Sequence, residues 1–166
     1  MEKRTRSHPR TSPGTHKVFF RANTENISLL QPENLSSFNF TLACSHCGRV
    51  FKDVKINEEQ YEPENYNKKV NYFAPCPDCK KDMIFYYVET YIHEKYKNHS
   101  KWNLLFLVDC RGCRIDIIEC HKWKIQTFGK KEFEWDGRGN FFEYDENIEK
   151  PIGVSELDFN FVKLVE

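Results

Sequence analysis

Apolar and polar residues alternate along much of this chain with a period of two. Phe38, Phe40 and Leu42 alternate with Asn39, Thr41 and Ala43, the signature of a strand with one buried face. Val18-Phe19-Phe20 opens an earlier strand. Residues 50–56 place Val50, Lys52, Val54 and Ile56 on one side of another. Residues 83–90, 102–108 and 115–119 are rich in branched and aromatic side chains. Trp123 and Ile125 alternate with Lys122, Lys124 and Gln126, and Phe133 and Trp135 bracket Glu134. Asp136-Gly137-Arg138-Gly139 supplies a turn, and 159–165 predicts a last strand. Residues 57–71 and 91–101 read as polar connections, the first with room for a short helical turn. No stretch of twelve or more residues carries a 3.6-residue apolar period, so the fold class is all-β with little helix.

Two cysteine pairs interrupt this pattern, Cys44-Ser45-His46-Cys47 and Cys76-Pro77-Asp78-Cys79, with 28 residues between them. Two intervening residues let the backbone turn back so that both sulfurs of a pair point at one ion. Four thiolates from two such hooks suit one tetrahedral Zn²⁺. The metal ligands predicted are therefore Cys44, Cys47, Cys76 and Cys79. Gly48 is free to take the positive φ such turns need, while Pro75 and Pro77 keep the second hook out of a helix. His46 lies inside the first hook and faces away if both flanking cysteines bind. A site filled by four thiolates has no open position for water, so one structural zinc is expected.

A weaker repeat runs through the chain at an offset of 66 residues. Residues 40–47 then lie over 106–113, and Phe19-Phe20 over Phe85-Tyr86. The same offset carries the Cys76–Cys79 hook onto 142–145, which has no cysteine. The expected architecture is a pseudo-repeat of two similar β halves, 17–80 and 81–166, in one compact sandwich- or barrel-like domain. Only one half keeps a complete metal site. Residues 1–16 form a basic leader, with Lys3, Arg4, Arg6 and Arg10 among Ser, Thr, Pro and Gly. Such a segment cannot bury enough apolar surface to order itself.

Composition narrows the function classes. Twenty-five basic residues balance 25 acidic ones, so no global charge favours nucleic acid or an anionic membrane. The longest wholly apolar run, 104–108, is too short to span a bilayer or to form a signal-peptide core. Seven cysteines in an odd, paired arrangement favour metal in a reducing compartment over disulfides. A cytoplasmic protein, with nuclear residence also compatible, is expected, and the four N-x-S/T sequons are read as chance matches.

Cys110, Cys113 and Cys120 remain ambiguous. They can be ordinary buried thiols, a redox C-x-x-C beside Arg111 and Arg114, or a second metal set with His121. G-x-S-x-G, H-E-x-x-H and G-x-x-x-x-G-K are missing, so no catalytic or cofactor-binding residues are assigned. The acidic cluster Glu143, Asp145 and Glu146 reads as solvated surface.

The order of motifs resembles the eukaryotic CXXC-motif-containing zinc-binding proteins. The resemblance spans residue 17 to the C-terminus. It rests on Glu25-Asn26-Ile27, Cys44-x-x-Cys47-Gly48, the second pair at Cys76 and Cys79, the Asp109-Cys110-Arg111-Gly112 block, Tyr144-Asp145-Glu146 and Ile152-Gly153-Val154. It implies a small, intracellular, mostly β protein with two related halves, one zinc on four cysteines and no established enzymatic activity. Cys113 departs from the family pattern after Cys-Arg-Gly, and the basic leader lies outside the resemblance. The resulting expectation is a non-catalytic, zinc-stabilised protein-interaction module, monomeric, with a protein partner and no membrane or nucleic-acid partner. The alternative is a thiol oxidoreductase or methionine-sulfoxide-reductase-like enzyme using Cys110 and Cys113.

Overall fold

A computed structural model gives the structure of residues 14–64 and 66–164. The described residues form twelve strands: β1 (Thr15–Glu25), β2 (Ile27–Pro32), β3 (Phe38–Cys44), β4 (Val50–Lys55), β5 (Tyr72–Pro75), β6 (Asp82–Thr90), β7 (Asn103–Arg111), β8 (Cys113–Cys120), β9 (Trp123–Thr127), β10 (Glu132–Trp135), β11 (Phe141–Asp145) and β12 (Lys150–Lys163). One 3-10 turn, Leu35–Ser37, is the helical element among them. A six-stranded sheet runs β11-β12-β1-β7-β6-β5, and two three-stranded sheets run β10-β9-β2 and β4-β3-β8. The sheets curl into a half-barrel.

Aromatic side chains fill the space between the sheets. Phe38 of β3 meets Phe106 of β7 edge-on with centroids 5.2 Å apart, and Phe40 meets Phe85 of β6 at 5.0 Å. Phe20 of β1 lies 5.2 Å from Trp123 of β9. All six rings are fully buried. Burying one phenylalanine stabilises by about 1.5–3 kcal/mol, and favourable ring geometry adds to it. These ring contacts join all three sheets, in a core that also takes in Cys44 and Cys76.

Two departures from the sequence pattern, in β4 and β12, share one cause. In β4, Asp53 has a φ of +57° and two residues oppose one on β3 between Phe40 and Leu42. That bulge reverses the alternation: Phe51 and Val54 pair with the inward Leu42 and Phe40, while Val50 is exposed. In β12, Glu156 has a φ of +55° and the register with β1 shifts between Arg21 and Asn23. Ile152 and Val154 are buried before the bulge, and Leu157, Phe159 and Phe161 turn inward after it. The final strand therefore begins at Lys150, well before residue 159. β2, β5 and β11 are the strands that the alternation did not expose.

Two further expectations change. Residues 57–71 hold an isolated bridge between Tyr61 and Val70 and no helical turn among those described. Thr15 and His16, assigned by sequence to the basic leader, belong to β1, where His16 pairs with Val108 and Lys163. The leader's first thirteen residues lie outside the described residues.

At the 66-residue offset, β1 corresponds to β6 and β3 to β7. β3 forms a hairpin with β4. β7, by contrast, pairs with β1 and β6, and β8 crosses to pair with β3. Gly112 alone separates β7 from β8, with a φ of +73°. A Cβ there would lie 2.1 Å from the Asp82 carbonyl oxygen, so the crossing needs glycine for its close approach as well as its φ. Cys110 and Cys113 consequently sit in strands rather than in a hairpin turn.

Candidate metal centre

Each hook forms the tip of a hairpin, β3–β4 for the first and β5–β6 for the second. In the first, the Cys44 amide donates to the Arg49 carbonyl at 2.8 Å and the Gly48 amide donates back to the Cys44 carbonyl at 2.9 Å. In the second, the Cys76 amide donates to the Lys81 carbonyl and the Lys80 amide to the Cys76 carbonyl, both at 2.8 Å. Gly48 has a φ of +82° and Lys80 of +67°. The two turns are thus the same device, built 32 residues apart in the sequence.

The device aims sulfur inward. The Sγ atoms of Cys44, Cys47, Cys76 and Cys79 all lie within 4.8 Å of one another. Contacts across the hooks are 3.6 Å between Cys44 and Cys79 and 3.5 Å between Cys47 and Cys76. A tetrahedral Zn(Cys)₄ site with bonds of about 2.3 Å has sulfur–sulfur edges of about 3.8 Å. The donors fit a zinc ion in type, number and spacing. Cys44 and Cys76 are fully buried, Cys79 is half-buried and Cys47 lies at the surface. Arg49 spans the rim, its guanidinium 2.7 Å from Asp78 Oδ1 of the other hook. Both side chains are about half exposed, so this pair contributes little beyond orientation.

Electrostatics make the same case. Amides of Cys47 and His46 hydrogen-bond to the Cys44 sulfur and pull its thiol down to about 6. The Arg49 amide favours the Cys47 thiolate, yet desolvation and the neighbouring cysteines push that thiol up to about 12. For Cys79 the Lys81 amide favours the thiolate, and desolvation with Cys44 and Cys76 again raises the thiol. Crowded thiols cannot all ionise side by side without a cation. A dication supplies what the amides alone cannot.

The other sequence candidates separate clearly. His46 is exposed and outside the sulfur cluster. Among the described residues the four hook cysteines are the one group that brings metal-ligating atoms together. Cys120 stands at the opposite end of β8 from Cys113, some 23 Å away at the usual strand rise. Cys110, Cys113, Cys120 and His121 therefore do not form the second metal set that the sequence left open. Burial pushes the Cys120 thiol up to about 12. Cys110 and Cys113 are each 5% exposed. Their mutual hydrogen bond lowers Cys113 and raises Cys110, and Cys113 also reaches the Ile84 carbonyl at 3.6 Å.

The cross-strand pairing of Cys113 with Cys44 escaped the sequence reading. It is reinforced by the Ser45 amide donating to the Gly112 carbonyl at 3.0 Å, and it seats the second C-x-x-C directly behind the metal hook. Asp145 is a correction: it is fully buried rather than solvated, accepting from the Thr127 hydroxyl and the Asn147 amide. No helix among the described residues is long and apolar enough to cross a membrane.

Comparison with known sequences decides the family. The profile of the CXXC motif containing zinc binding protein, eukaryotic, matches residues 17–162. The chain belongs to this family. As a member of the eukaryotic CXXC zinc-binding family it takes zinc as its metal, and its one four-cysteine cluster is consistent with a single structural site. Two solved structures share the fold. One, described as the crystal structure of C1orf123, has a TM-score of 0.73 at 18% identity and covers 91% of this chain and 100% of its own. The other, a hypothetical protein from Plasmodium falciparum, has a TM-score of 0.74 at 17% identity and covers 89% of this chain and 99% of its own. No curated protein sequence matches.

Proposed function

We propose that Cys44, Cys47, Cys76 and Cys79 hold one Zn²⁺ as a structural clamp between two hairpins, and that the protein is a non-catalytic interaction module. The observation carrying this reading is the convergence of four sulfurs within 4.8 Å from two matching turns. Four protein thiolates leave zinc no open position for an activated water. An interaction role draws support from β11, an edge strand whose outward Phe142 and Tyr144 are 68% and 51% exposed. The module acts as a cytoplasmic monomer on a protein partner, and its halves descend from a duplicated β unit. Metal analysis of the purified full chain tests the clamp. Wild type should carry one zinc per chain, and Cys44→Ser and Cys79→Ser should each lose it; stoichiometric zinc in either variant overturns the assignment.

A second reading has one specific observation in its favour, the hydrogen-bonded Cys110–Cys113 pair with a lowered Cys113 thiol. Thiol reductase chemistry would close these two into a disulfide while a sulfoxide becomes a thioether and water. The burial of both thiols weighs against it. Turnover of a methionine sulfoxide substrate that is lost in Cys113→Ser would establish this reading, and absence of turnover removes it.

A further inference from the structure

Seven cysteines are three more than the clamp uses, and one of the three, Cys113, stands directly against it. Cys113 of β8 is the register partner of Cys44 of β3. The next pair along, Ser45 and Gly112, carries the ladder hydrogen bond, the Ser45 amide donating to the Gly112 carbonyl at 3.0 Å. Hydrogen-bonded and non-hydrogen-bonded pairs alternate along an antiparallel ladder, so Cys44 and Cys113 form a non-hydrogen-bonded pair. Such pairs bring Cα atoms to about 4.5 Å, inside the roughly 4.4–6.8 Å that a disulfide spans. Both side chains also lie on one face of the sheet. Cys113 is nevertheless outside the cluster of four sulfurs. It neighbours a ligand without being one.

The thiols run inward from the surface. Cys47 is exposed and Cys44 is fully buried, while Cys113 and Cys110 lie in the core behind them. Cys113 donates to the Ile84 carbonyl and shares a hydrogen bond with Cys110. Gly112 turns the chain between them from β7 into β8, which holds the two ends of this C-x-x-C together. An oxidant arriving from solvent meets the first hook at Cys47 and the buried pair last. Burial obstructs exchange with an outside substrate. It does not obstruct exchange with Cys44, which is already in place beside Cys113.

We infer that Cys110 and Cys113 are an internal reductant for the first metal hook, clearing from it the disulfide that a peroxide forms. Hydrogen peroxide first oxidises the Cys47 thiolate to a sulfenic acid and leaves as water. The Cys44 thiolate attacks that sulfur, a second water departs, and the Cys44–Cys47 disulfide releases zinc. Cys113, as thiolate, then attacks Cys44 Sγ, so the Cys44–Cys113 bond forms and Cys47 leaves as thiolate. Cys110 attacks Cys113 Sγ in turn, and Cys44 leaves as thiolate. One peroxide has become two waters, with both electrons and both protons supplied by the Cys110 and Cys113 thiols. Only the reduced hook binds Zn²⁺, so the released metal draws the exchange to this end. The inference rests on the zinc clamp proposed above and needs no sulfoxide turnover.

The test adds one equivalent of hydrogen peroxide to the zinc-loaded full chain and alkylates the remaining thiols. Protein-bound zinc is read after desalting, and disulfides are read by peptide mass mapping. Wild type should end with a Cys110–Cys113 bond and its zinc retained; a second equivalent, with the pair spent, should release the metal. Cys113→Ala keeps all four ligands, yet it should lose zinc at the first equivalent and hold a Cys44–Cys47 bond. Cys110→Ala lacks the resolving thiol and should accumulate the Cys44–Cys113 bond. Wild type without a Cys110–Cys113 bond, or Cys110→Ala without the Cys44–Cys113 bond, overturns the inference. Zinc missing from wild type before any peroxide would overturn the clamp instead, and the disulfide map still decides the exchange.

Discussion

Gly48 and Lys80 occupy the same place in two turns: each has a positive φ and donates its amide to the carbonyl of the first cysteine of its hook. Only one of them is glycine. A lysine in the left-handed region carries a steric cost of roughly 1 kcal/mol that glycine does not. Lys80→Gly should therefore raise stability or leave it nearly unchanged. Gly48→Ala should cost about 1 kcal/mol, from backbone strain alone, because a Cβ at Gly48 would meet nothing within 4 Å. Urea unfolding of both zinc-loaded variants checks the pair, and equal losses in the two would show that the turns are not equivalent.

Asp145 ties β11 to the turn that follows β9. The Thr127 hydroxyl donates to it and itself accepts from the amides of Gly129 and Lys131, each at 3.2 Å. Asp145→Ala would strand a buried hydroxyl and leave the Asn147 amide without its acceptor, at a cost of about 2–4 kcal/mol. Thr127→Val takes away three hydrogen bonds at once and leaves the buried carboxylate short of a donor, so it should cost at least as much, about 2–4 kcal/mol. Denaturation midpoints of the two variants give the order directly.

Acid should destabilise the protein through buried His99 and half-buried His16. His99 and His16 are held below their ordinary value of 6.5, in both cases chiefly by burial. The unfolded chain therefore binds protons near pH 6.5 while the native form resists them until lower pH. Above that value both states are neutral and the two residues impose no pH dependence. As pH falls from 6.5 through the lower native values, stability is lost. Thermal melts of wild type and His99→Gln should agree in slope above pH 7, and the variant should fall less steeply below 6.5. Parallel curves throughout would remove His99 from the acid response.

Removing the metal should loosen the hairpin tips and spare the core. Phe38, Phe40, Phe85 and Phe106 join the sheets through ring contacts of their own. Chelation should expose the Gly48 and Lys80 amides to hydrogen exchange while the amides of β1 and β7 stay protected. Global loss of protection would show that the aromatic core cannot stand without zinc.

The strands with unbroken alternation, such as β3, were legible in the sequence because burial on one face imposes a period of two. Bulges at Asp53 and Glu156 break that phase, so Val50 and Val54 do not share the one side the alternation gives them, and β12 begins well before residue 159. β11 was hidden because Phe142 and Tyr144 face outward, so its pattern opposes the usual one. The hooks were legible because C-x-x-C fixes local geometry. Asp145 was not, since burial of a carboxylate depends on a partner 18 residues away. The seating of Cys113 behind Cys44 likewise follows from β8 crossing between sheets, a relation no local pattern carries.

The central claim is a zinc ion bound by sulfur alone, and X-ray absorption at the zinc edge of the purified full chain tests it most directly. The account predicts four sulfur neighbours at about 2.3 Å and no lighter ligand. A nitrogen or oxygen neighbour at about 2.0–2.1 Å would contradict it, placing His46 or water in the shell and reopening the site to chemistry.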